Sequence, residues 1–190
     1  MFVKICGVKT EEAVRVAVEA GADAIGFVFA DSSRRIDVET AKRLRQHIPE
    51  SVRVVGVFLD PSPEEVERTL PAGLTDLQLH RRTCPLDAFR RFGLPIIEAS
   101  REAEADLVLL DAPVPGSGKT LDWATLRRPN QPFWLAGGLT PENVTTAIQI
   151  VRPDGVDVSS GVETDGEKDV EKIRTFVKRA KEEYVCTANQ

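Results

Sequence analysis

The chain of 190 residues is short of the side chains on which several functions depend. Its three cysteines, Cys6, Cys84 and Cys186, are far apart and form no C-x-x-C pair. Neither a disulfide framework nor a zinc site is expected from them, and a reducing, cytoplasmic setting is the simple reading. Only His47 and His80 could add imidazole ligands, so no metal is expected. One Tyr, two Trp and eight Phe accompany Lys+Arg 25 against Asp+Glu 30, a net charge of −5. That balance lacks the basic, aromatic-interleaved footprint of a nucleic-acid binder. No apolar run approaches the roughly 18 residues of a membrane span. Residues Met1 to Cys6 lack the basic-then-apolar layout of a signal peptide. The dinucleotide fingerprint G-x-G-x-x-G is missing after the first apolar run. A nucleotide P-loop is also missing: Gly116-Ser117-Gly118-Lys119-Thr120 comes near it, but Pro113 stands where its first glycine belongs.

What is present is ordinary for a folded chain: 42% apolar and 29% charged residues, in about one domain's length. Eight short apolar runs read as strands: Val3–Cys6, Ala24–Phe29, Val52–Phe58, Asp76–Leu79, Pro95–Glu98, Leu107–Leu110, Phe133–Ala136 and Gly155–Val158. Most are continuous rather than alternating, which marks strands buried on both faces. Helical patterns lie between them. Thr10 precedes an apolar stripe ending near Gly21, and Asp37 opens Val38–Ile48. Ser62-Pro63-Glu64-Glu65 carries an N-cap, a first-position proline and a capping-box glutamate. Thr140-Pro141-Glu142-Asn143 reads as a similar start for a helix to Val151, and a last helix is expected from about Glu167 to Tyr184. Asp122 reads as the N-cap of a helix over Trp123–Arg128.

Strand alternating with helix, eight times, predicts one α/β domain over residues 1–190, a single (β/α)8 TIM barrel. About 24 residues per unit is tight for this fold. Only eight residues separate Glu98 from Leu107, so the fifth helix is expected to be shortened or missing. An open doubly wound sheet would use the same elements, but the glycine fingerprint that goes with it is absent.

In such a barrel chemistry belongs where strands end. Cys6 ends the first strand, and Lys4 lies two residues back on the same face. A buried ammonium needs a counter-charge, and Asp157 on the neighbouring eighth strand is the expected partner. A nearby cation would favour the Cys6 thiolate and make it a usable base; on spacing alone a small buried hydrophobe is the plainer reading. Gly137-Gly138 and Ser159-Ser160-Gly161 follow strands seven and eight, where backbone N–H groups hold phosphate in these barrels. Either of Arg34 and Arg35 could grip an anionic group, the other being a solvated surface residue. His80 reads as a rim hydrogen-bonding residue or a solvated loop residue, and Gln78 shares its inward parity. The glycine-rich stretch at 116–118 reads as a mobile loop over the mouth.

Taken in order, these segments resemble the phosphoribosylanthranilate isomerase family of tryptophan biosynthesis. The stretches that carry the resemblance are Lys4-Ile5-Cys6-Gly7, Gly21 to Phe29, Val55 to Phe58, Gln78-Leu79-His80, Leu109 to Asp111, Gly116 to Trp123, Gly137 to Val144 and Val156 to Glu163. The resemblance implies an Amadori rearrangement of N-(5-phosphoribosyl)anthranilate with no cofactor. It makes Cys6 the general base at C2 of the ribose and Asp122 the general acid at the ring oxygen. It gives the anthranilate carboxylate to Arg35 and the phosphate to the glycine and serine loops, with His80 at the substrate. The implied partner is a small phosphosugar, not nucleic acid or membrane; the oligomeric state is not implied. The chain departs from the family pattern in places. Arg81-Arg82 stand where Gly and an acidic residue are common, Glu98 where a basic residue is usual, Pro115 for a second glycine and Ala136 for a serine. Two competing readings share the phosphate loops. One is the histidine-pathway aminoaldose isomerase, which ends its first strand in aspartate; the other is a catalytically silent phosphate-binding barrel.

Overall fold

Eight parallel strands hydrogen-bond in chain order and close on themselves in the computed structural model, which describes residues 1–100, 104–111 and 122–188. The strands are β1 Phe2–Cys6, β2 Ala24–Val28, β3 Arg53–Leu59, β4 Asp76–His80, β5 Ile96–Glu98, β6 Leu107–Leu110, β7 Phe133–Leu135 and β8 Gly155–Val158. Closure comes from β1 lying beside β8 with Lys4 level with Asp157. The architecture is the expected (β/α)8 barrel, and all eight expected strands are present to within a residue or two at their ends.

The helices are α1 Glu11–Glu19, α2 Val38–Arg45, α3 Pro63–Glu67, α4 Asp87–Arg90, α5 Val144–Val151 and α6 Val170–Ala188. Local chemistry sets their starts. Thr10 and Asp37 side chains accept from Ala13 N and Thr40 N. At α3 both halves of the capping box form: Ser62 Oγ accepts from Glu65 N at 3.2 Å, and Ser62 N donates to Glu65 Oε2 at 2.7 Å. Between β5 and β6 the described residues contain no helix, in keeping with the eight-residue gap.

Three expected helices begin or run differently. Thr140 to Asn143 form a turn closed by Thr140 N donating to Asn143 Oδ1, so α5 starts only at Val144. The stretch after Asp122 makes one 3₁₀ turn, Trp123–Thr125, and Leu126 is already extended. Glu167 does not open the last helix. It belongs to a hairpin, β9 Glu163–Thr164 with β10 Glu167–Lys168, and the helix starts at Val170. The hairpin turn is Asp165-Gly166, both at positive φ (52° and 82°), the backbone of a tight two-residue connection.

Side chains alternate between two cores. Val3 and Ile5 point outward under the helices, while Phe2 and Cys6 belong to the inner cluster with Ala24, Val55, Ile97, Leu109 and Trp134. At the N-terminal end of the barrel Phe2 stacks on Trp134 at 4.6 Å between ring centroids. The Arg53 guanidinium lies 5.6 Å from each ring centroid and forms a two-pronged ion pair with buried Asp76. Gly155 makes room for this plug, since a Cβ there would stand 2.6 Å from Trp134 Cδ1.

Candidate active site

The C-terminal end of the barrel is open. A cavity of about 410 Å³ is lined by residues at the ends of β1 to β4 and β6 to β8, among them Cys6, Gln78, His80, Asp111, Asp157 and the two late loops. Cys6 reaches it because β2 carries a glycine level with it. A Cβ on Gly26 would stand 2.9 Å from Cys6 Sγ and 3.1 Å from Lys4 Cε, so the missing methyl is the space both side chains use.

Lys4 is completely buried and donates to Asp157 Oδ1 at 2.9 Å, the pair expected from register. Burial works against its ammonium, but Asp157 and Cys6 outweigh that and hold its pKa above the ordinary lysine value. The expectation for Cys6 itself needs correction. Burial dominates and pushes the thiol pKa up, although Lys4 and Lys168 pull the other way. The cation below is already matched by Asp157, so it offsets only part of the cost of a buried thiolate. At neutral pH Cys6 is a thiol.

The two late loops are locked together. Gly137 and Gly138 adopt φ of 82° and 67°, a backbone that other residues rarely take. Gly161 packs directly on the Leu139 carbonyl, with no space for a Cβ. Gly137, Gly138, Ser159, Ser160 and Gly161 all line the cavity.

On β4, Gln78 Nε2 lies 2.8 Å from His80 Nε2. Burial, then the charge on Lys4, lowers the His80 pKa to about 4, so the ring is neutral at physiological pH. Gln78 Oε1 is buried with no hydrogen-bond partner among the described residues.

The two arginines after β2 differ. Arg34 lines the cavity, lays its stem over Gly7 and makes a bidentate pair with Glu163 at 2.8 and 2.7 Å. Arg35, the residue implied for the carboxylate, is exposed and outside the cavity lining, on a backbone held by Ser32 and Val28. Asp122 is likewise exposed and off the wall. Its Oδ1 accepts from Ala124 N at 3.2 Å, the capping role read from its position. The glycine-rich loop at 116–118, with Pro115, lies outside the described residues.

Two departures from the family pattern prove to be partners. Arg82 Nε lies 2.8 Å from Glu98 Oε1, so the altered charge on β5 is neutralised by the altered charge after β4. Arg81, where glycine is common, holds φ of 50° and faces the cavity.

Sequence reading missed Lys168 and the role of Glu163. Lys168 leaves the hairpin strand β10 with a side chain only 4% exposed, pairs with Glu163, and donates to Ser159 O at 2.9 Å. The Asp165-Gly166 dipeptide was the available signal for this hairpin. Among the described residues no His, Cys, Asp and Glu cluster could hold a metal ion, and no helix is long and apolar enough to cross a membrane.

A thiol, a buried ion pair and two locked backbone loops around one open mouth invite comparison with known barrels. A sequence model described as N-(5'-phosphoribosyl)anthranilate (PRA) isomerase matches residues 3–179. The chain belongs to this family. It is an enzyme, an isomerase of tryptophan biosynthesis. The N-(5'-phosphoribosyl)anthranilate isomerase of Streptococcus pneumoniae (strain Hungary19A-6) is 48% identical over 190 residues, covering 94% of this chain and 95% of the relative. That of Streptococcus mutans is 44% identical over 189 residues, covering 94% and 98%. Among solved structures, the phosphoribosyl anthranilate isomerase of Thermus thermophilus superposes with a TM-score of 0.87 at 37% identity, covering 96% of this chain and 99% of that one. A further isomerase, with TM-score 0.79, 36% identity and the same coverage, was crystallised in complex with reduced 1-(o-carboxyphenylamino)-1-deoxyribulose 5-phosphate.

Proposed function

We propose that the chain converts N-(5-phosphoribosyl)anthranilate to 1-(2-carboxyphenylamino)-1-deoxyribulose 5-phosphate, with Cys6 as general base and Asp122 as general acid. The observation that carries this reading is Cys6: a thiol at the wall of an open cavity, above a buried ion pair and beside the loops of β7 and β8. Asp122 donates a proton to the furanose ring oxygen, the C1–O bond breaks, and an iminium forms. That cation is an opposite charge in the same cavity and favours the thiolate, so the Cys6 thiol releases its proton to solvent through the open mouth. The thiolate removes the C2 proton, the iminium accepts the electron pair, and the enolamine tautomerises to the ketone. No metal or organic electron sink is required, because the iminium is one.

The backbone of Gly137-Gly138 and Ser159-Ser160-Gly161 takes the phosphate. Arg35 takes the anthranilate carboxylate from the rim, and His80, neutral, hydrogen-bonds the sugar. Asp122 gives up one capping hydrogen bond to reach the ring oxygen, an exchange costing about 1 kcal/mol. Lys4 and Asp157 support Cys6 from below, and one barrel domain carries the whole site.

Loss of the fluorescent anthranilate adduct measures turnover. Cys6→Ala and Asp122→Asn are each expected to lower kcat by at least about 10²-fold. Near-normal turnover in either variant removes that residue's role, and no turnover by the unaltered chain removes the reading as a whole.

A further inference from the structure

We infer that Lys168 is a positioning residue for Cys6: it ties the turn after β8 to the end of β1 and leaves a net positive charge beside the sulfur. The inference rests on Cys6 being the base, and goes beyond it in naming what poises that base.

The geometry is a closed relay. Lys168 Nζ donates to Ser159 O at 2.9 Å and lies 3.3 Å from Ser159 Oγ. Ser159 Oγ in turn donates to the Cys6 carbonyl at 3.1 Å. Glu163 accepts from Lys168 on one side and from Arg34 on the other. The Arg34 stem covers Gly7, where a Cβ would stand 2.6 Å from its Cδ. Two cations and one anion therefore surround residues 6, 7 and 159.

Charge decides what this arrangement does. Beneath Cys6, Lys4 and Asp157 cancel as a pair. Beside it, Arg34 and Lys168 share the single carboxylate of Glu163, which leaves one net positive charge. His80 across the mouth is neutral. Asp31, Asp111 and Arg81 also line the cavity, and Lys172 Nζ donates to the Glu163 carbonyl at 2.7 Å; these charges stay the same when the relay is altered. A lysine with a side chain 4% exposed is a costly way to fill space, since a methionine of similar length packs without desolvating a charge. The charge accounts for the choice. Burial pulls the Lys168 pKa down and Glu163 restores part of it, while Lys168 and Lys4 both oppose the rise that burial imposes on Cys6.

Two substitutions on this relay change its charge in opposite senses. Lys168→Met leaves Arg34 matched by Glu163 and no net charge. Glu163→Gln leaves two cations. The rate of iodoacetamide alkylation is followed against pH at 25 °C, with modification read on the Cys6 peptide by mass spectrometry so that Cys84 and Cys186 do not contribute. The midpoint is expected to rise by about 1 pH unit in Lys168→Met and to fall by a similar amount in Glu163→Gln. A role confined to packing would disturb the loop in both variants and move them the same way. Shifts in the same direction, or no shift in either soluble variant, overturn the inference. If Lys168→Met does not fold, Lys168→Gln takes its place and its midpoint must rise, because a merely loosened loop would expose the sulfur and lower it. Alkylation does not depend on turnover. An active Cys6→Ala variant would therefore remove the catalytic reading and leave the charge coupling standing, and the two failures are told apart.

Discussion

The two ends of this barrel are built from the same strands and solve opposite problems. At the N-terminal end Phe2, Trp134 and Gly155 interlock, and Arg53 lies over both rings with Asp76 as its partner and Thr75 bonded to the same carboxylate. None of these residues lines the cavity. At the C-terminal end, about 13 Å further along β1 at Cys6, polar groups are held without full satisfaction. Gln78 Oε1 lacks a partner among the described residues, Cys6 is a buried thiol, and Lys168 is a buried cation. The plug is where the barrel gains stability, and the mouth is where it tolerates the costs of function.

That contrast breaks if changes at the plug affect turnover or if changes at the mouth leave it intact. The largest stability loss is expected from Trp134→Ala, about 3–5 kcal/mol by denaturant unfolding, with kcat on the remaining folded enzyme within about threefold. Lys4→Met belongs to the mouth yet is expected to cost about as much, because it strands a buried Asp157. The double variant Lys4→Met, Asp157→Leu sharpens the point: stability should largely return while activity does not, which separates the pair's charge from its bulk.

A smaller effect is expected from pH. The folded His80 titrates near 4 against an ordinary value of 6.5. Between those values the unfolded chain binds the extra proton, so stability falls as pH drops from about 6.5 toward 4. Above 6.5 both states carry a neutral ring and His80 has no influence. His80→Gln should flatten this part of the stability–pH curve, read as Tm at each pH. The smallest effect concerns Arg81, held at φ of 50°. Arg81→Gly relieves the left-handed backbone but frees the unfolded chain, so a gain of no more than about 1 kcal/mol, or about 2–4 °C in Tm, is expected.

How much of this was written in the sequence depends on the range of the forces involved. Continuous apolar runs located all eight strands, because burial on two faces leaves no freedom of composition. Parity and barrel closure then brought Lys4 to Asp157. The second strand of the hairpin, Glu167–Lys168, falls within the expected final helix, since a two-residue strand has no periodicity and the amphipathic pattern of α6 extends backward over it. Asp122 could be given a catalytic role, and Arg35 chosen over Arg34, only through family resemblance. A capping aspartate and a surface arginine look alike whether or not a ligand turns them inward. The rise in the Cys6 pKa escaped for another reason: spacing shows a neighbouring cation, but not that its charge is already matched or how completely the sulfur is buried.

The contact between Gly161 and the Leu139 carbonyl constrains how such a molecule can change. With no gap for even a methyl group, the last two turns cannot be rebuilt one at a time; a bulkier residue or an insertion in either demands a matching change in the other. Variation in what the mouth accepts is therefore channelled to the earlier connections. The Arg81-Arg82 stretch, already unlike the common family pattern and compensated by Glu98, shows that route being taken.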